Sequence, residues 1–371
     1  MSRSNRDVGG YRGRRTMNDI LKLIAIALAV AVVLVLAGAF VLQRYMVYTD
    51  EGPRLDLPPI FQMFRQRGEE PAASSSLPDP ADVSLIEEDP VPPEPEPAGY
   101  ALELPVEDAV SGAAAGKLEG ARALILEVKD QLGRLSWRSG QATADWSEVN
   151  GAQETGDALK EWNEGEVCTI ARLHCFRDDT VPYYNNSFAL RWAGQDWNWR
   201  DELGLRWTSP GRAEVRAYNA ALCGEAAALG FDEIVLEEFY FPIQGNLDAI
   251  RPGESYDSAR FAAQVEDFLA QAQAAVEPFG TKLSLRVGRD TLAGLESSSG
   301  VTAQLLEKYA YRIWVEDDGL TPTPLNLLEQ AGITGGTERL VLITPRPEEN
   351  SPVFQAVLSA GEDGAPDAPG I

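Results

Sequence analysis

From residue 100 onward, short runs rich in β-branched and aromatic residues alternate with alanine-rich helical patterns, and this rhythm restricts the fold more than any other feature. Strands are expected at 100–104, 123–129, 168–173, 234–241, 282–287, 311–315 and 340–343, and helices at 157–163, 213–229, 258–276 and 303–308. Strand and helix in turn build βα units around a parallel sheet, not a sandwich or a bundle. Seven strands are clear; an eighth is expected in the Trp-rich stretch between Asp178 and Trp207, or is missing from an incomplete barrel. The expected domain, 99–347, has the length of one (β/α)8 barrel, about 250 residues. The fold class is therefore α/β, a TIM-like barrel, with a doubly wound open sheet as the second architecture. No glycine-rich phosphate loop opens any helix, so no nucleotide and no cofactor is expected.

The N-terminal part has a different character. The uncharged run from Leu23 to Leu42 is long enough to cross a hydrocarbon core of roughly 30 Å as a helix. Arg3, Arg6, Arg12, Arg14, Arg15 and Lys22 precede it and only Arg44 follows closely, so the expected topology is single-pass in the cell membrane, N-terminus cytoplasmic and barrel outside. The alternative is a cleaved signal peptide ending near Ala37-Gly38-Ala39; the run continues through Phe40-Val41-Leu42 without a polar break, which favours a retained anchor. The expected domains are a basic tail at 1–19, a membrane helix at 20–43, a Pro- and acid-rich linker at 44–98, the barrel at 99–347 and a disordered tail at 348–371. The formal charge of −25 excludes nucleic acid as a partner and suits neutral or cationic ligands. Cys168, Cys175 and Cys223 lack metal-ligand spacing and are read as core thiols.

Barrel enzymes place their chemistry at the C-terminal ends of the strands. Carboxylates expected there are Glu127 with Lys129 and Asp130, Asp178 after Phe176, Glu237 with Glu238, and Glu316-Asp317-Asp318, the last read as a solvated turn. Charges inside an apolar strand are hard to explain by packing, so one of Glu237 and Glu238 is expected to face a wet cavity. Arg172, within Thr169-Ile170-Ala171-Arg172-Leu173, is expected to meet a carboxylate such as Glu127 or Glu237. Asp178-Asp179-Thr180 reads equally as a functional strand end or an ordinary turn cluster. His174 is the single histidine; no metal set can be built on it, and it is read as packed or superficial.

The order of Ala171-Arg172, Phe176-Arg177-Asp178, Trp207, Pro210, Tyr218-Asn219, Gly230-Phe231-Asp232-Glu233-Ile234, Glu237 and Phe241-Pro242 resembles the bacterial putative glycoside hydrolase family of TIM-barrel type. That resemblance implies glycosidic hydrolysis by paired carboxylates, with Glu237 as one and Asp178, Glu127 or Asp130 as the second. It also orients Glu237 inward. The family's Asp-Tyr-x-Arg-Phe-Pro stands here as Glu237-Glu238-Phe239-Tyr240-Phe241-Pro242, and its Ile-Asp-Val-Lys-Asp as Leu126-Glu127-Val128-Lys129-Asp130. Two aspartates have become glutamates and Tyr240 replaces an arginine. The expected partner is an envelope or extracellular polysaccharide or oligosaccharide, contacted by Arg172, Lys129, Glu238, Tyr240, Tyr183 and the Trp197-Asn198-Trp199 platform, because aromatic faces stack on sugar rings. A barrel that has lost catalysis and only binds glycan is the second expectation.

Overall fold

A computed structural model describes residues 46–49, 52–55 and 98–359 apart from Ser147. The run from Leu23 to Leu42 lies outside the described residues; among those that are described, no helix is long and apolar enough to cross a membrane.

Two four-residue strands, β1 (Met46–Thr49) and β2 (Gly52–Leu55), pair antiparallel. Both strands lie in the stretch expected as a Pro- and acid-rich linker, 44–98, most of which lies outside the described residues. Val, Tyr and Thr are good strand formers, and the register sets Gly52 opposite Thr49.

The second unit is a closed parallel barrel. Its strands are β3 (Tyr100–Glu103), β4 (Ala123–Lys129), β5 (Cys168–His174), β6 (Glu233–Glu237), β7 (Lys282–Arg286), β8 (Ile313–Glu316), β9 (Leu340–Thr344) and β10 (Phe354–Val357). The eighth strand is β10, which pairs with β9 on one side and β3 on the other. It lies in the stretch expected as a disordered tail, not in the Trp-rich excursion, whose residues make only isolated bridges such as Arg191 with Asn198 and Arg200 with Arg206. Closure also rules out the open doubly wound sheet.

Burial on both faces explains the near-continuous apolar strands. Alternate residues Ala101, Ala123, Ile125, Ile170, Val235, Trp314, Val341, Ile343 and Ala356 form one cluster inside the barrel. Their neighbours Leu124, Leu126, Leu173, Ile234, Leu236, Leu283, Leu285 and Val315 join the larger cluster packed under the helices. Trp314 fills the interior beside three alanines, and its indole nitrogen donates to Glu233, which Arg312 also holds. Outside, the helix Ala213–Ala228 buries Val215, Leu222 and Ala226, and the helix Phe261–Val276 buries Val265, Phe268 and Leu269. Of the three free thiols, Cys175 and Cys223 are buried as expected, but Cys168 is exposed because it begins β5 at the barrel rim.

Candidate active site

The inward register that supplies the apolar layer ends, two residues later or four, in charge. Ala101 is followed by Glu103, Ile125 by Glu127, Ile170 by Arg172 and His174, Val235 by Glu237, and Ser284 by Arg286. These side chains floor a cavity of about 1550 Å³ at the C-terminal ends of the strands. Period-two alternation would turn Glu238 away from it. The backbone there adopts φ 39, outside the range bulky side chains favour, and both consecutive carboxylates face the same space.

Arg172 is the hub. Its Nε donates to Glu237 Oε1 at 2.7 Å, its Nη2 to Glu127 Oε1 at 3.4 Å, and its Nη1 to Glu103. Arg286 Nη1 donates to both Glu237 oxygens, at 3.0 and 2.9 Å. His174 places Nδ1 2.5 Å from Glu238 Oε2 and Nε2 3.0 Å from Glu127 Oε1, with Glu237 Oε2 at 3.6 Å. Arg177 joins Asp201 at 2.9 Å and Glu238 at 3.5 Å.

These contacts set the protonation states. Burial alone would push Glu237 up, yet Arg172, Arg286 and His174 together hold it well below the usual carboxylate range. Burial likewise opposes ionisation of Glu238 and Glu127, and His174 outweighs it in both, with Arg172 helping at Glu127. In Glu103 burial wins over Arg172 and its carboxyl is raised. His174 is the reverse case: burial disfavours its charge, but Glu238, Glu237 and Glu127 lift it to about 10. It therefore stands as an imidazolium donating from both nitrogens.

His174, Glu237 and Glu238 each bring one potential ligand atom within 4.8 Å of the others. They do not suit a metal ion, because guanidinium groups occupy both Glu237 oxygens and both imidazole nitrogens already face carboxylates.

Of the residues expected at the site, Glu237, Glu127, Asp130, Arg172, Glu238 and Tyr240 line the cavity. Asp130 does so while tied down: its carboxylate accepts from the Leu132 and Arg134 amides and from Arg134 Nε. Asp178 and Lys129 are corrections, since neither lines it. The register shifts between Glu127 and Lys129, and Lys129 Nζ ends beneath the loop after β5, 2.7 Å from His174 O and 3.0 Å from Asp178 Oδ2. The other Asp178 oxygen accepts from the Thr180 and Val181 amides. The pair is a fully buried clamp on that loop, which is the ordinary-turn reading of Asp178. The Trp197-Asn198-Trp199 platform is corrected too. Trp199 is wholly buried with its nitrogen on Asn246 O, while Trp197 and Tyr183 are exposed away from the cavity lining. His174, read as packed or superficial, stands at the centre. Glu103 and Arg286 went unnoticed in the sequence, although counting the inward register two residues past Ala101 and Ser284 points at both, and Arg177 figured there only within the Phe176-Arg177-Asp178 motif.

Fold and site together define a (β/α)8 barrel with an ion-paired carboxylate cluster at the catalytic face of that architecture. Residues 106–310 match the family described as "Putative glycosyl hydrolase domain", and the chain belongs to that family. No curated protein matches it. Among solved structures, a hypothetical protein from Ruminiclostridium thermocellum ATCC 27405 is 22% identical, covering 50% of this chain and 96% of that one with a TM-score of 0.40. The PgaB (BpsB) glycoside hydrolase domain from Bordetella bronchiseptica is 11% identical over 71% of this chain and 94% of its own, TM-score 0.47. Ega3 from Aspergillus fumigatus, solved with galactosamine, is 9% identical over 72% and 92%, TM-score 0.41. Likenesses this low carry no argument about what this chain does.

Proposed function

We propose that this protein hydrolyses glycosidic bonds in an envelope or extracellular polysaccharide, using Glu237 and Glu127. The observation that carries the reading is that both carboxylates address one imidazole nitrogen, His174 Nε2, at 3.0 Å and 3.6 Å. Two oxygens within 3.0 and 3.6 Å of one nitrogen lie at most about 6.6 Å apart, at the short end of the roughly 6.5 to 9.5 Å that admits a water for inversion, which supports the double displacement of a retaining enzyme. Glu237, held ionised by Arg172, Arg286 and His174, attacks the anomeric carbon while Glu127 gives a proton to the departing oxygen. Glu127 then takes a proton from the water that releases the sugar from Glu237. Glu127 suits the acid–base role because its side chain is 39% exposed to the cavity, against 3% for Glu237, so a bound sugar adds to the burial that raises it. Glu103, Arg172 and Arg286 hold the pair in place.

The experiment is reducing-end release from neutral and amino-sugar polysaccharides, with the anomer of the first product read by NMR. Wild-type activity with retention, lost in Glu237→Gln and Glu127→Gln, supports the reading; an inverted product sinks the double displacement. A second reading rests on the saturation of both Glu237 oxygens by guanidinium groups, which suits a barrel that binds glycan and has lost its chemistry. Glycan retained on a column without any bond cleavage is its signature. The reading also includes an anchor formed by Leu23 to Leu42, with the barrel outside the cell. Protease treatment of intact cells would then digest the barrel, and its full protection would remove that topology.

A further inference from the structure

The cavity carries six cationic side chains, and every one already has an acidic partner. Arg172, His174 and Arg286 are held in the central network; Arg134 meets Asp130 at 2.7 Å, Arg177 meets Asp201 at 2.9 Å, and Arg289 meets Asp318 at 3.2 Å. The acids are not all matched in return. Among the described residues Glu107, Glu316 and Asp317 line the same cavity with no ion partner; the Asp317 carboxylate accepts only from the Gly319 amide. Glu316 ends β8 and Asp317 follows it, and β8 is adjacent in the barrel to β7, which carries Arg286. A carboxylated or sulfated sugar entering here meets no free cation, whereas an ammonium group meets unneutralised acid.

A second observation is independent of charge. Tyr240 lines the cavity with 9% of its surface exposed, and its hydroxyl has no hydrogen-bond partner among the described residues. Burial first, and Glu238 next, push its titration upward, so the phenol stays neutral and keeps both a donor and an acceptor for a ligand. A nearly buried hydroxyl left open toward a water-filled space fits a sugar hydroxyl.

We propose that the substrate is a polymer of amino sugars bearing free ammonium groups, with Glu316 and Asp317 receiving an ammonium and Tyr240 a ring hydroxyl. This substrate class rests on the glycoside-binding reading of the cavity, and its failure is separable from the failure of that reading.

The test uses the full-length chain in detergent and measures binding of four probes: a glucosamine oligomer, the N-acetylglucosamine oligomer of equal length, an oligogalacturonate, and a lysine oligomer. The glucosamine oligomer is expected to bind roughly five- to tenfold tighter than its acetylated counterpart, the effect of one or two rim charges. The advantage fades at high salt, which screens exposed charges. Glu316→Gln with Asp317→Asn removes the advantage and leaves the acetylated probe unaffected; Asn preserves the acceptor for Gly319, so the loop keeps its turn. Tyr240→Phe weakens both sugar probes alike. Equal binding of the two sugars, preference for the galacturonate, tighter binding of the lysine oligomer, or a preference that survives the double variant overturns the proposal. Reducing-end release is read separately. The preference without bond cleavage sinks hydrolysis alone, and cleavage confined to the acetylated polymer sinks the substrate class alone.

Discussion

His174 holds a proton between two carboxylates that the unfolded chain has no means of holding there. Its folded value of about 10 stands above the ordinary 6.5, so the stabilisation it supplies is complete below about pH 6.5, declines as pH rises and is lost through about 10. The unfolding temperature of the wild type is therefore expected to drop across that alkaline window more steeply than that of His174→Gln, measured by calorimetry; parallel curves would show that His174 is not charged in the fold. The same imidazolium pulls Glu127 below its ordinary value. If Glu127 is the proton donor, kcat/KM climbs as pH falls into the acid range, and His174→Gln moves the profile upward in pH. Glu237 is a different kind of residue. Its side chain is 3% exposed, and Glu237→Gln would leave Arg172 and Arg286 without their common counter-charge, costing about 3 to 5 kcal/mol by denaturant titration. The more exposed Glu127→Gln should cost about 1 kcal/mol or less. If the two variants were equally stable, the network would not be the structural centre it resembles.

At the scale of elements, the turn after β4 and the loop after β5 are locked to each other. Gly133 adopts φ 86, and a Cβ there would overlap the Asp178 carboxylate that holds Lys129. Gly133→Ala is expected to cost about 2 kcal/mol or more through backbone strain and overlap. Because Lys129 Nζ grips the His174 carbonyl, the same change should lower kcat more than it raises KM. The strands themselves were readable from local pattern because apolar runs bounded by turn residues record burial on both faces. Phe354-Gln355-Ala356-Val357 was not readable in that way: four residues, one of them polar, among prolines and acids. It is a strand because β9 and β3 offer it a ladder on either side.

For the whole molecule, β10 is what turns a row of βα units into a closed wall. Just beyond it, the Ser359 amide donates to Glu103 Oε2 at 2.8 Å, so closure also anchors a residue of the charged floor. A chain ending at residue 350 should expose the edges of β3 and β9 and aggregate, whereas one ending at residue 359 should fold as the full chain does; light scattering and circular dichroism distinguish them. The sequence by itself determined the βα class, the position of seven strands, and the presence of Glu127, Arg172, Glu237 and Glu238 at strand ends, because apolar periodicity and charges out of place within it are local signals. The meeting of Arg172 with Glu127 and Glu237 was expected from a charge inside an apolar strand; only the tertiary structure decided that the barrel closes, that Asp178 and Lys129 stand behind the wall, and that His174 joins carboxylates from strands far apart in sequence. Those outcomes depend on the register between neighbouring strands and on a bulge and a left-handed residue at their ends, and no local pattern of residues records which charges that register brings together.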